Sequence, residues 1–128
     1  MNTPLIVSST ITALHALLLI ALSMRVGIIR HRKKIWLLDG GDDQLTRALR
    51  VQGNFIEYVP ITLILLALVE YHQAASTVVL WCMGGGLLIA RLIHATSLSL
   101  SATAIGRGVG ANLTFLVMAS AALVLLLQ

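Results

Sequence analysis

Four long apolar stretches, separated by short polar segments, dominate the pattern of the chain. They cover about residues 5–24, 45–68, 76–95 and 108–127. A membrane-spanning helix needs about 20 mostly apolar residues to cross roughly 30 Å of hydrocarbon, and each stretch has that length. The pattern therefore predicts an all-α membrane protein, a four-transmembrane-helix bundle that forms a single domain over residues 1–128.

The composition supports this prediction. Charged residues make up 11% of the chain, whereas a soluble domain carries roughly 25%, so too little charge is present to cover a water-exposed surface. Cys82 is the single cysteine, which excludes an intrachain disulfide and a zinc site of paired cysteines. We expect no metal centre.

Most of the positive charge lies between the first two spans. Seven of the nine lysines and arginines fall between Arg25 and Arg50. Because basic loops stay in the cytoplasm, this asymmetry predicts a cytoplasmic first loop. Both termini are then expected on the non-cytoplasmic side.

The first loop itself has three parts. The basic run Arg30–Lys34 is expected to meet anionic lipid headgroups, with Trp36 at the membrane interface. The run 39–43, Asp-Gly-Gly-Asp-Asp, is typical of an exposed turn. Asp43 is the predicted N-cap of the second helix.

The second helix carries a stripe of polar residues that an apolar span does not need. Arg47, Arg50, Asn54 and Glu57 lie at offsets of 0, 3, 7 and 10 residues, which places them within roughly 80° of one helix face. An ionised side chain deep in a bilayer costs about 2.5 to 3.5 kcal/mol. We therefore expect the stripe to face the bundle interior, with Pro60 loosening the helix beyond it.

The third and fourth helices bring further cations to a similar depth. Arg91 and His94 are three residues apart near the end of the third span, and Arg107 lies at the start of the fourth. One carboxylate, Glu57, faces several arginines, so the excess of positive charge suggests an anionic ligand. The alternative is a satisfied structural network, in which Glu57 offsets an arginine and Asn54 bonds between helices.

Small and isolated residues have simpler interpretations. The run 84–86, three glycines, and the Gly106–Gly110 spacing are expected to allow close helix packing, since no strand precedes either to form a phosphate loop. His15, alone in the first span, is expected to be a packing or interface histidine.

The segment from Arg47 to Pro60, which reads Arg-Ala-Leu-Arg-Val-Gln-Gly-Asn-Phe-Ile-Glu-Tyr-Val-Pro, is similar to the hallmark of the membrane-associated proteins in eicosanoid and glutathione metabolism, the MAPEG family. Bacterial members also look alike around 39–41 and 90–94. The resemblance implies a homotrimer like the microsomal glutathione S-transferases of the family, in the bacterial inner membrane. Glutathione would bind as cosubstrate between subunits, facing the cytoplasm.

The resemblance also implies roles for single residues. Arg107 would be the catalytic residue that stabilises the glutathione thiolate, since lowering a thiol pKa of about 8.5 by two units takes about 2.7 kcal/mol. Leu98 stands where eicosanoid enzymes of the family have a tyrosine, so no eicosanoid synthase is expected. Arg25 or Arg30 would add a carboxylate contact. The implied glutathione-binding residues are Arg47, Arg50, Asn54, Glu57, Tyr58, Arg91 and His94.

These features favour a glutathione-dependent transferase or peroxidase that acts on hydrophobic electrophiles or lipid hydroperoxides. The alternative is a non-catalytic trimeric membrane protein that binds glutathione or another small anion. A small drug exporter is disfavoured because the first span lacks the carboxylate that proton coupling needs. Nucleic-acid binding is not expected, since the basic run lacks interleaved aromatic residues. The expected partners are therefore a second copy of the chain, glutathione, a hydrophobic substrate and membrane lipids.

Overall fold

Four helices make up nearly all of the structure, a computed structural model that describes residues 5–100 and 104–128, with side chains for 5–97 and 108–128. They are α1 (Ile6–Lys33), α2 (Asp43–Tyr71), α3 (Thr77–Leu100) and α4 (Ala104–Leu126). All four are long and apolar enough to cross a membrane. The prediction of an all-helical protein with four potential spans is confirmed.

Helix α1 extends well past the apolar stretch that predicts it. It continues from Met24 to Lys33 and ends at Lys34, which adopts the left-handed conformation and donates its N–H to the Arg30 carbonyl. Cationic side chains in the last turn favour this extension because they offset the negative end of the helix dipole. The basic run is therefore helical as far as Lys33.

Helix α2 begins one residue earlier than a cap at Asp43 would require, so that prediction is wrong. Asp42 is the N-cap, since its Oδ1 accepts a hydrogen bond from the Leu45 N–H at 2.8 Å. The other oxygen of Asp42 forms an ion pair with Lys33 Nζ at 2.5 Å. Either of the adjacent aspartates fits the capping preference, and the ion pair to the end of α1 favours Asp42.

A carboxylate from α2 caps the start of α1, which has no capping side chain of its own. The Glu70 carboxylate accepts hydrogen bonds from the N–H groups of Val7 at 2.9 Å and Ser8 at 2.7 Å, and from Ser8 Oγ. The first N–H groups of a helix lack intrahelical partners and carry a partial positive charge. Glu70 thus ties the end of α2 to the start of α1, far from the basic loop.

Helix α2 packs against each of the other three helices. Two glycines allow close approaches between the other helices, α3 with α1 and α4 with α3. A Cβ on Gly84 would lie 2.6 Å from Ile11 of α1, and one on Gly110 would lie 2.8 Å from the Ala90 carbonyl oxygen of α3. The close-packing prediction is confirmed at these positions. It is not required at Gly85, which has open space around it, and Gly106 lies outside the residues whose surroundings are described.

Candidate functional site

The polar stripe of α2 lines an open cleft of about 820 Å³ at the end of the bundle where α1 ends and α2 begins. Its residues recur every three or four positions along α2, which puts them on one face, and α3 adds His94. The loop before α2 closes the end of the cleft. The lining residues are Asp39, Asp43, Thr46, Arg47, Leu49, Arg50, Gly53, Asn54, Glu57 and His94.

Arg91 lies behind this cleft, and 2% of its surface is exposed. Its Nη1 donates to Asn54 Oδ1 at 2.7 Å and its Nη2 donates to the Gly110 carbonyl at 3.1 Å. A guanidinium has donors only, so the oxygen of the Asn54 amide faces it and the NH2 group is left to donate elsewhere. Arg91 joins α2, α3 and α4 and orients Asn54 in the cleft wall.

The carbonyl of Gly110 receives a second hydrogen bond, from Thr114 Oγ1 at 2.9 Å. Both donors are buried. Thr114 lies one turn further along α4, whereas Arg91 reaches this carbonyl from α3 because the two helices approach closely at a residue without a side chain. The Cβ of His94 is one of the atoms that a larger residue at 110 would meet. The packing that places His94 in the cleft wall and the hydrogen bonds of Arg91 therefore depend on the same contact.

Acidic groups line the cleft beside the predicted arginines. Two aspartates that were interpreted as turn and capping residues, Asp39 and Asp43, line it together with Glu57, Arg47 and Arg50. Among the residues whose side chains are described, which do not include Arg107, three carboxylates therefore accompany two guanidinium groups in the lining. The salt bridge found among the residues whose side chains are described joins Lys33 to Asp42 and lies outside the cleft. The five charged groups of the cleft therefore form no salt bridge with one another.

Asp39 is fixed at the edge of the cleft. Its Oδ1 accepts from the Gly41 N–H at 3.1 Å and its Oδ2 accepts from Thr46 Oγ1 at 2.9 Å. These hydrogen bonds, that of Gly41 first, hold the pKa of the Asp39 carboxyl below its ordinary value. Asp39 therefore remains an anion at neutral pH.

The structural-network interpretation of the stripe predicted two contacts, and the structure allows each to be checked. Asn54 does bond between helices, to Arg91, as the structural-network interpretation expected. Glu57 does not offset an arginine within the described part of the chain, because no salt bridge joins it to one there. Glu57 and Arg50 are exposed on the single chain and Arg47 is half-buried, so the prediction that the stripe faces the bundle interior is wrong for Arg50 and Glu57 there.

The remaining predicted ligands lie in different settings. The ring of Tyr58 packs edge-on against Phe115 of α4, with 5.1 Å between ring centroids. Arg30 uses its Nη1 within the first loop, where it donates to backbone carbonyls, and Arg25 is half-buried. The side chains of Arg107 and Leu98 lie outside the described residues, so the predicted thiolate contact stays a prediction.

A second cavity, of about 420 Å³, lies between α1 and α2 and is almost entirely apolar. His15 forms part of its wall. The ring Nδ1 of His15 donates to the Ile11 carbonyl at 2.8 Å, and the ring packs near Phe55 with 6.0 Å between centroids, which agrees with a packing histidine. The lining residues are Thr12, His15, Ala16, Leu19, Phe55, Val59, Pro60, Leu63, Ile64 and Ala67.

Four apolar helices with ionisable groups gathered at one end of the bundle define a membrane protein with a polar site, since such groups are costly in a bilayer and usually functional. The profile of the MAPEG family matches residues 8–127, and the chain belongs to that family. It is similar to the inner membrane protein YecN of Escherichia coli strain K12, at 38% identity over 88 residues, and to YecN of strain O6:H1 at the same identity. Each match covers 69% of this chain and 66% of the relative, just under two thirds of its length.

Proposed function

We propose that this protein is a glutathione-dependent membrane transferase or peroxidase that acts on hydrophobic electrophiles or lipid hydroperoxides. The observation that carries the proposal is the cleft itself. It gathers Arg47, Arg50, Asn54, Glu57 and His94 in one wall, and its volume of about 820 Å³ falls within the roughly 300–1,000 Å³ of small-molecule sites. Membership of the MAPEG family gives the chemistry.

The charges of the cleft suit glutathione better than they suit a simple anion. Glutathione has two carboxylates and one ammonium, so it needs both kinds of partner. Arg47 and Arg50 supply cationic partners for the carboxylates, and Asp43 and Glu57 supply anionic partners for the ammonium. The NH2 group of Asn54, held by Arg91, is a further donor.

The reaction in this proposal depends on Arg107, whose guanidinium would stabilise the thiolate form of glutathione. In the transferase reaction, the thiolate sulfur forms a bond to an electrophilic carbon, and the leaving group departs with its electron pair. In the peroxidase reaction, the sulfur attacks the terminal oxygen of the hydroperoxide, the O–O bond breaks, and the departing alkoxide takes up a proton to give the alcohol. A second glutathione then converts the sulfenic acid to the disulfide and water.

The exposed charges also support a proposed homotrimer. Arg50 and Glu57 face outward from the single chain, at a part of α2 that belongs to a potential span. Exposure of such groups to lipid costs about 2.5 to 3.5 kcal/mol each. A neighbouring copy that covers this face would remove the cost and complete the site between subunits.

The proposed location is the bacterial inner membrane, with the cleft facing the cytoplasm. The name of the YecN relatives supports the membrane, and the basic loop at the cleft end of the bundle supports the orientation. In this arrangement both termini lie on the non-cytoplasmic side. A non-catalytic trimer that binds glutathione or a small anion is the second candidate, which the mixed charge of the cleft also suits.

The test begins with binding in detergent. Glutathione at about 100 times its Kd should stabilise the protein by about 2.7 kcal/mol, and Arg50→Gln should abolish the shift. His72→Gln, a polar change at the opposite end of the bundle, is the matched control and should keep it. No thermal shift of the unmodified protein with glutathione would exclude the enzyme and a glutathione-binding trimer, and would leave the trimer that binds another small anion.

Activity then separates the two candidates. The protein is assayed with glutathione and chlorodinitrobenzene, and with glutathione and a lipid hydroperoxide. Turnover of either that is lost in Arg107→Gln, while glutathione binding persists, supports the proposed mechanism. Binding without turnover favours the non-catalytic trimer, and full activity of Arg107→Gln would remove Arg107 from the mechanism.

A further inference from the structure

The loop between α1 and α2 presents three consecutive large apolar side chains outward. Trp36, Leu37 and Leu38 are 73%, 80% and 75% exposed. Contiguous exposed apolar patches with a polar rim mark surfaces that contact a partner or a membrane. We name residues 36–38 the loop tip.

Side-chain contacts hold this loop in one conformation. Arg30 Nη1 donates to the Leu38 carbonyl at 2.7 Å and to the Ile35 carbonyl at 3.3 Å, and the Ile35 N–H returns to the Arg30 carbonyl at 3.1 Å. The ring of His31 lies edge-on to Trp36, with 6.3 Å between centroids. The loop tip is thus a fixed feature of the fold.

The backbone of the loop tip is strained at its last residue, Leu38. Leu38 has a φ of +54°, a left-handed conformation that costs a non-glycine residue conformational energy. Gly40 and Gly41, two and three residues later, take φ of +57° and +74° at no such cost. Strain of this kind is concentrated at functional sites, and here it keeps a leucine on the outer surface.

The rim of the loop tip is basic. The side chains of His31, Arg32 and Lys34, which precede it in the chain, are exposed, whereas Lys33 is engaged by Asp42. An apolar tip preceded by exposed cations matches the surface of a bilayer, in which anionic headgroups lie above acyl chains. Tryptophan in particular favours that boundary.

We infer that this loop is a preformed docking site for anionic phospholipid. The loop tip inserts among the acyl chains of the adjacent leaflet, and Arg32 and Lys34 bind headgroup phosphates. The occupant is a lipid, because the exposed cations complement headgroup phosphates and the exposed apolar side chains next to them complement acyl chains. The site is separate from the ligand cleft and does not depend on glutathione.

The test uses Trp36 as its own reporter. The chain has two tryptophans, so Trp81→Phe leaves Trp36 alone. The variant is purified in detergent and titrated with phosphatidylglycerol or phosphatidylcholine, each with brominated acyl chains. Phosphatidylglycerol should quench Trp36 and shift its emission to shorter wavelength at far lower concentration than phosphatidylcholine does.

Charge and apolar variants in the same background test the two halves of the site. Each cation near an anionic surface contributes about fivefold in affinity, so Arg32→Gln with Lys34→Gln should weaken phosphatidylglycerol binding about 25-fold. Leu37→Ser should reduce quenching by both lipids. Leu127→Ser removes an equally exposed leucine, 82% exposed near the C-terminus, and should change neither.

Three results would overturn the inference. Equal quenching by the two lipids would show that the headgroup is not recognised. Unchanged phosphatidylglycerol affinity in the double charge variant would show that Arg32 and Lys34 do not bind the headgroup phosphates. Short-wavelength emission of Trp36 in lipid-free detergent, with no quenching by brominated lipid, would show that the loop tip is already covered and does not receive lipid.

Discussion

Replacement of Gly110 by alanine tests the contact on which the cleft wall depends. A Cβ at this position would lie 2.8 Å from the Ala90 carbonyl oxygen, 2.8 Å from His94 Cβ and 3.0 Å from the His94 backbone nitrogen. None of these atoms is the end of a flexible side chain. Helix α4 must therefore move away from α3, and the hydrogen bond from Arg91 to the Gly110 carbonyl is stretched with it.

The expected loss of stability follows from these contacts. Overpacking of a well-packed interior costs about 1–3 kcal/mol, and loss of a hydrogen bond from a charged donor costs about 1.5–3 kcal/mol. The higher helix propensity of alanine returns about 1 kcal/mol. We expect Gly110→Ala to lower the free energy of unfolding by about 3 kcal/mol.

Gly108→Ala is the matched control, because Gly108 lies on the same helix and an added Cβ there meets no atom of the described residues within 4 Å. It should leave stability unchanged or raise it by up to about 1 kcal/mol. Both variants are unfolded in mixed micelles of dodecyl sulfate and a mild detergent, and the glutathione shift of each is measured. Equal stability of the two variants would refute the claim that α3 and α4 meet backbone to backbone here.

Three further predictions concern other parts of the fold. Glu70→Gln should cost about 1–2 kcal/mol in the same unfolding assay, because a neutral amide caps α1 less well than a carboxylate; an unchanged value would contradict the capping role. Arg91→Lys should weaken glutathione binding, since one ammonium cannot hold Asn54 and the Gly110 carbonyl together; unaltered affinity would show that Asn54 needs no such support. The hydrogen bonds from Gly41 to Asp39 and from Lys33 to Asp42 lower the pKa values of these two carboxyl groups, so their contribution to the loop is complete above the ordinary carboxyl pKa and is lost as the pH falls through the lowered values. The reporter is Trp36 fluorescence in a variant that combines Trp81→Phe with His31→Gln, so that the His31 ring no longer lies against Trp36. This fluorescence should stay constant from neutral pH down to about 4 and change below it, and a change centred near pH 6 would point to another group.

The helical stripe of the cleft was predictable because it depends on a single period. Arg50, Asn54 and Glu57 belong to one helix, and the 3.6-residue repeat places them on one face whatever surrounds the helix. The same holds for the existence of four apolar helices. Local rules of this kind need no knowledge of the tertiary structure.

The carboxylates of the cleft were not predictable in this way. Asp39 reaches the cleft because the loop turns back through left-handed residues at Lys34 and Leu38, which nothing in their side chains favours. Asp43 lines the cleft because Asp42, and not Asp43, is the N-cap of α2, and the ion pair with Lys33 favours Asp42 in that position. The positions of both aspartates depend on where α1 ends. The apolar pattern stops at Met24, nine residues before the observed end of α1 at Lys33.

Arg91 shows a different limit of the sequence. Its presence near the cleft was predictable from the depth of its span, but its role depends on Gly110, nineteen residues away on another helix. Its burial and its two hydrogen bonds make it a positioning residue for Asn54. Residue type alone cannot distinguish a guanidinium that contacts a ligand from one that orients the contact.

The mixed charge of the cleft changes what its ligand must be. A pocket of arginines alone would favour any small anion, and phosphate or sulfate would compete with glutathione. With Asp43 and Glu57 beside Arg47 and Arg50, a simple anion meets repulsion as well as attraction, because like charges in a partly desolvated site raise each other's cost. A zwitterion that places an ammonium against the carboxylates and its own carboxylates against the guanidinium groups avoids that repulsion. Under the proposed function, the acidic residues Asp43 and Glu57 are therefore the ones expected to favour glutathione over an inorganic anion.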